Sequence, residues 1–210
     1  MKKCFERPPF FARRMVMMIS GVILQALGLA ILIKLQLGTD PCSCLTQGVT
    51  NYLPLSFGTC QLICHLFTFA IVLRYDRSRI GFGTIGNMVC LGYIADFFGY
   101  IRDTAIPQVF WESRLNVYLM LIPALLFFIL GAATYMCAGI GSSPYDAVPF
   151  IISEHVKKPN FKGVRMIWDI GFMLAGLLLG GDVGVVTVAV AFFLGPVITY
   201  VQKRLNRLLE

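Results

Sequence analysis

Apolar runs of about twenty residues recur along the chain, separated by short segments in which charges and prolines collect. Six such runs can be read, at about 14–37, 57–74, 80–99, 116–139, 163–180 and 183–201. Each is close to the ~20 residues with which an α-helix crosses a ~30 Å hydrocarbon core. They are too long and too uniformly apolar for the alternating ~10-residue strands of a membrane β-barrel. The pattern predicts an all-α membrane protein with six transmembrane helices in a single multi-pass domain, 1–210. No polar stretch is long enough to build a separate soluble domain.

The runs also repeat. Shifted by 103 positions, Leu27-Gly28 overlies Leu130-Gly131, Ala30 overlies Ala133, Gly38 overlies Gly141, and Pro41 overlies Pro144. Further on, Phe69 falls on Phe172, Gly81 on Gly184, Thr84 on Thr187, and Leu91-Gly92 on Leu194-Gly195. Six of these ten identities are Gly, Pro or Thr, residues that punctuate a backbone rather than fill space against lipid. Two repeats follow, about 14–100 and 116–202, each with three spans and a Gly-x-x-Pro segment after its first helix. An odd number of spans per repeat implies inverted topology, an architecture of secondary transporters that bind solute at the repeat interface. Short interfacial or re-entrant helices are expected after helices 1 and 4. In the second copy Ser142 or Ser143 would N-cap a helix of roughly 144–155, with Pro144 and Asp146 in its first turn. If helices 1 and 4 cross the bilayer fully, the two segments start on opposite membrane faces. They meet only where a helix kinks or a short helix dips inward.

Composition agrees with a bilayer: 57% hydrophobic residues, 14% charged residues and a mean hydropathy of +0.75. The net charge of +7 is a matter of topology, because the basic residues flank apolar runs and form no aromatic-interleaved patch for nucleic acid. Fifteen of the eighteen fall on one side, from Lys2, Lys3, Arg7, Arg13 and Arg14 to Lys203, Arg204 and Arg207. Lys34, Arg102 and Arg114 are the exceptions, so the positive-inside rule places both termini in the cytoplasm. The first apolar run is longer than a signal-peptide core and reads as a retained membrane helix. Seven scattered cysteines make no disulfide framework. Cys42, in the segment after the first span, is expected to face the outside and to react with an impermeant thiol reagent.

An ionisable side chain in hydrocarbon costs several kcal/mol unless partnered, which makes each one a candidate. Asp169 lies in the fifth span with Arg165 one turn before it on the same face, and His65 lies at similar depth in the second. Asp146, Ser143 and Asp40 stand at the helix breaks, where N-terminal N–H groups can bind a polar or anionic solute or simply be capped. Gly38, Pro41, Gly141, Pro144, Gly81 and Thr84 shape those breaks. The bland reading of Asp169 is a structural ion pair with Arg165, and of His65 a packing residue. Gln25, Gln61 and Asn87 suit helix-to-helix hydrogen bonds, and Ala26, Gly28 and Ala30 suit close packing. Lys34 and Asp96, near helix ends, are expected to reach toward water. The Cys60/Cys64 and Cys42/Cys44 pairs lack partners to complete a metal site, and no hydrolase, zincin or P-loop motif is present. The chain is therefore not expected to be an enzyme, to hold a metal or to need a cofactor.

The segment Gly141-Ser142-Ser143-Pro144-Tyr145-Asp146, its degenerate copy Gly38-Thr39-Asp40-Pro41-Cys42-Ser43, and Gly81-Phe82-Gly83-Thr84 resemble the YczE-like and YitT-like family of small bacterial integral membrane proteins. The resemblance runs from about 13 to 202. The first copy departs from the family pattern, with Cys42-Ser43 in place of the aromatic and Asp, and Tyr145 stands where Trp is typical. The resemblance implies a multi-pass protein of the bacterial inner membrane. The expected function is a secondary transporter or membrane solute-binding protein for a small polar or anionic solute. The rival is a non-transporting scaffold or regulator. Expected partners are membrane lipids, the solute, and a second copy or another membrane protein, but no nucleic acid. Transport requires a polar, hydrated cavity between the halves; a scaffold requires a dry one.

Overall fold

The computed structural model describes Phe5, residues 7–156, residues 161–192 and Tyr200. All regular structure among the described residues is helical: α1 (Phe11–Leu35), α2 (Pro41–Thr50), α3 (Phe57–Tyr75), α4 (Phe82–Ala105), α5 (Gln108–Glu112), α6 (Arg114–Cys137), α7 (Pro144–His155) and α8 (Phe161–Leu178). A 3₁₀ turn, Arg77–Arg79, precedes α4, and residues 185–192 form a last described helix, α9. Four helices, α1, α3, α4 and α6, are long and apolar enough to cross a membrane. The fifth expected span, α8, has 18 residues and carries Lys162, Arg165 and Asp169, so its composition alone does not mark it as one. The sixth expected span lies partly outside the described residues, as do Leu194, Gly195, Cys4, Lys2, Lys3, Lys157, Lys158, Lys203, Arg204 and Arg207.

Helix starts follow side-chain chemistry. Ser56 caps α3 by accepting from the Thr59 amide at 3.3 Å. Gly81 and Gly184 each donate their amide to the hydroxyl three residues on, Thr84 at 3.0 Å and Thr187 at 3.3 Å. Asp96, rather than reaching toward water, accepts from the Gly58 amide at 2.9 Å and so satisfies the first turn of α3. Lys34 pairs with Asp103 at 3.3 Å, and Asp103 also pairs with Arg102 at 2.8 Å, tying the ends of α1 and α4 together.

The centre of the bundle is the crossing of α1 and α6. Gly21 lies against Gly131 and Tyr135, whereas Gly28 lies against Ala124 and Phe128, so the two helices run antiparallel. A Cβ on Gly21 would stand 2.8 Å from the Gly131 carbonyl oxygen, and one on Gly28 2.6 Å from that of Ala124. Backbones this close gain dispersion contacts that lipid cannot supply. Around the crossing Val22, Ala26, Leu29, Leu32, Leu91, Phe128, Val186 and Val190 form the buried apolar core.

A second pair of contacts joins the loops. Gly83 donates its amide to the Ile140 carbonyl at 2.8 Å, and Val186 donates to that of Leu37 at 3.2 Å. The acceptors precede Gly141 and Gly38, whose φ angles of +115° and +96° are ones that L side chains rarely adopt. At these two glycines the chain turns back from the ends of α6 and α1. Outward-facing Val16, Ile23, Phe67, Ile122 and Leu126 are exposed, whereas Gln25, Gln61, His65, Asn87 and Asp169 are buried. Apolar outside and polar inside is the arrangement for a chain solvated by hydrocarbon.

Candidate functional site

The first turns of α2 and α7 meet. Asp40 caps α2 through Oδ2, which accepts from the Ser43 amide at 3.2 Å, and Ser143 caps α7 through Oγ, which accepts from the Asp146 amide at 3.1 Å. Pro41 and Pro144 occupy the first helical turns, where no N–H is missed. Because the chain turns back at Gly38 and Gly141, both starts reach one cavity rather than opposite faces. Asp40, Ser143 and Asp146 line it together with His65 of α3 and Arg165 and Asp169 of α8. Its volume is about 40 Å³, space for about three waters at ~10–15 Å³ each.

Cys42 lines the same cavity and is only 5% exposed. The expectation that it lies on an outer, reagent-accessible segment is therefore corrected: α2 carries it inward.

One wall is a closed network. Arg165 donates from Nη1 to Asp146 Oδ1 at 2.8 Å and from Nε to Asp169 Oδ2 at 3.0 Å. Asp146 Oδ2 accepts from Ser143 Oγ at 2.7 Å and from the Tyr135 hydroxyl at 2.9 Å. Tyr145 donates its hydroxyl to Asp169 Oδ1, and its ring lies 5.1 Å from the Arg165 guanidinium. Trp168 and Phe172 pack against that ring. The Arg165–Asp169 pair expected one helical turn apart is present, but Arg165 serves a second carboxylate that linear spacing does not reveal. Tyr135 and Tyr145 join the site without any mark in sequence spacing. Their signal was available, since a buried tyrosine hydroxyl has to find a partner.

Tyr135 makes a measurable case. Its hydroxyl, on a side chain 1% exposed, also accepts from the Ser143 amide at 3.0 Å. Tyr135→Phe is expected to cost about 1.5–3 kcal/mol, the range for a buried hydrogen bond to a charged group, read as a lower midpoint in reversible unfolding. An unchanged midpoint would show that the hydroxyl does not hold α6 to α7.

The opposite wall is open. Asp40 Oδ1, Gln61 Oε1 and His65 Nδ1 are buried and find no hydrogen-bond partner among the described residues. Above them Asn87 donates to Gln25 at 3.3 Å, joining α4 to α1. Under the 103-residue shift Ser43, Cys42, Leu62 and Leu66 correspond to Asp146, Tyr145, Arg165 and Asp169. The closed network thus belongs to the C-terminal half and the unsatisfied acceptors to the N-terminal half. Cys42, Cys44, Cys60 and Cys64 carry free thiols, and no group of three or more His, Cys, Asp or Glu among the described residues is placed to hold a metal.

The chain matches the family of unknown function DUF6198 over residues 12–203. It is 24% identical over 182 residues to the uncharacterized membrane protein YczE of Bacillus subtilis (strain 168), covering 86% of this chain and 81% of that protein. It is 28% identical over 174 residues to an uncharacterized protein of Haemophilus influenzae, covering 82% of this chain and 75% of the relative. No solved structure matches it. A family match across nearly the whole chain, together with four helices fit to cross a bilayer, makes this a membrane protein of the DUF6198 family, similar to YczE.

Proposed function

We propose that this protein is a secondary transporter, or a solute-binding membrane protein of the same build, in which two inverted three-helix halves enclose one small polar solute. The observation that carries the reading is the polar cavity at the meeting of α2 and α7, lined from both halves and holding unsatisfied polar atoms. A scaffold has no use for buried polar groups left unpaired, each of which costs ~1–3 kcal/mol.

The reciprocity of the contacts supports inverted halves. The pair Gly21 and Gly131 becomes Ala124 and Gly28 when each member is exchanged for its counterpart 103 residues away. The hydrogen bond from Gly83 to Ile140 becomes that from Val186 to Leu37 in the same way. Such pairing is what a two-fold axis produces. With α1 antiparallel to α6, that axis runs across the helices, hence in the membrane plane. Charge placement supports six crossings with both termini in the cytoplasm of a bacterial inner membrane. In this reading the protein performs no catalysis. Its partners are lipid, the solute and at most a second copy or another membrane protein. Arg165 binds two carboxylates and is the one fixed cation among three carboxyl groups that line the cavity, so the geometry favours a neutral or cationic solute over an anionic one.

Cys42 tests it. Right-side-out and inside-out vesicles are treated with a small thiol reagent, and labelling is taken as the difference between the wild type and Cys42→Ser. Alternating access predicts labelling of Cys42 from both sides. Labelling from one side only would leave solute binding and remove transport, and labelling from neither side would favour the scaffold.

A further inference from the structure

Resting on the solute site just described, we propose that the cavity takes a small monovalent cation bearing N–H donors, ammonium or a primary amine of ~three non-hydrogen atoms.

Charge balance comes first. The carboxyl groups of Asp40, Asp146 and Asp169 and one guanidinium, Arg165, line one cavity. With neutral His65 the lining sets three carboxyl groups against a single fixed cation, so acid is in excess. An unpaired charge within hydrocarbon costs several kcal/mol, so the site calls for positive charge. Arg165 cannot supply more, because its Nη1 and Nε already bind Asp146 and Asp169. An anion would meet Asp146 and Asp169 already at that guanidinium and would add to the excess of acid.

Hydrogen-bond geometry narrows the class. Asp40 Oδ1 and Gln61 Oε1 are acceptors, and His65 Nδ1 is a third when the ring proton sits on Nε2. Gln61 and His65 are 2% and 3% exposed, one turn apart on α3, and line the cavity with Asp40. Unfilled acceptors on three residues that line one cavity suit a ligand that donates in several directions, as an ammonium does. Hard metal ions such as Ca²⁺ and Mg²⁺ prefer six or more oxygen ligands, more than this wall supplies. Size sets the upper limit, since about 40 Å³ admits ~three non-hydrogen atoms and excludes a quaternary ammonium such as choline.

The experiment is a thermal shift on the purified full-length protein at fixed pH and equal chloride, with ammonium, methylammonium, ethylammonium, potassium and choline. Ammonium and the small amines are expected to raise Tm in a concentration-dependent, saturating way, while potassium and choline do not. The strongest of the three donors identifies the source, free ammonium or an amine. Asp40→Asn is expected to abolish the rise, and Gln61→Leu, should Asp40→Asn fail to fold, to weaken it severalfold. An equal rise with potassium or choline, or a full response in a folded Asp40→Asn, would overturn the proposal. Failure here with Cys42 labelled from both sides removes the ligand class and leaves transport standing. A selective ammonium response with Cys42 sealed removes transport and leaves the site.

Discussion

Arg165→Gln is expected to be the most damaging single substitution in the interior, lowering stability by about 3–5 kcal/mol, the range for removing one member of a buried ion pair. The guanidinium is shared between Asp146 at 2.8 Å and Asp169 at 3.0 Å, so its loss strands two carboxylates at once. Asp169→Asn is milder, because Arg165 keeps Asp146. Asp146→Asn falls between, since Asp146 also accepts from Ser143 and Tyr135. Neutralising all three positions together should recover much of the loss, because no buried charge of the network then lacks a partner. Reversible unfolding in mixed micelles measures all four variants on one scale. An Arg165→Gln protein as stable as the wild type would mean that water already solvates the network, and the closed wall described above would be wrong.

Gly131→Leu is expected to cost about 3 kcal/mol, the upper end of overpacking. A Cβ at Gly131 would stand 2.7 Å from both the Gly21 oxygen and the Gln25 Cα, and neither is a flexible side chain that can swing aside. Relief requires α1 and α6 to separate, and the cavity lies beside that crossing. The variant should therefore also lose any ligand-induced rise in Tm. Gly171→Ala on α8 is the control, since nothing lies within 4 Å of the added carbon. There the better helix propensity of alanine should leave stability unchanged or raised by up to ~1 kcal/mol. Equal effects at the two positions would show that close approach of the backbones is not what holds the crossing.

The candidate site was only partly legible. His65, Arg165 and Asp169 are legible because charge or imidazole within an apolar run has few innocent explanations, and Asp40, Ser143 and Asp146 because they flank Pro41 and Pro144 at the helix breaks. Gln61 suits helix-to-helix hydrogen bonding by its sequence, yet its Oε1 is buried without a partner among the described residues. The sequence puts Cys42 outside, since a run of 24 apolar residues suggests that the chain has left the membrane when the run ends. Nothing in the linear pattern marks Tyr135 and Tyr145, because an aromatic residue in a membrane helix ordinarily packs. Only their neighbours in space, Asp146 and Asp169, give their hydroxyls work.

The sequence by itself determined the solvent of this protein and its punctuation. Apolar runs of bilayer length, charges gathered between them, and Gly, Pro and Thr recurring at a 103-residue shift are local or periodic properties that need no partner to be read. Tertiary structure decided which punctuated segments meet. The backward turn at Gly38 and Gly141 depends on φ angles that Gly permits but does not impose, and it is held by the Ile140 and Leu37 carbonyls bonding to Gly83 and Val186, 57 and 149 residues away in the chain. The same holds for charge: i,i+4 spacing announces Arg165 with Asp169, but Asp146 reaches that guanidinium only because α7 folds back beside α8. Whether a buried polar group is paired or left open is set by distances between elements, and no one-dimensional pattern encodes them.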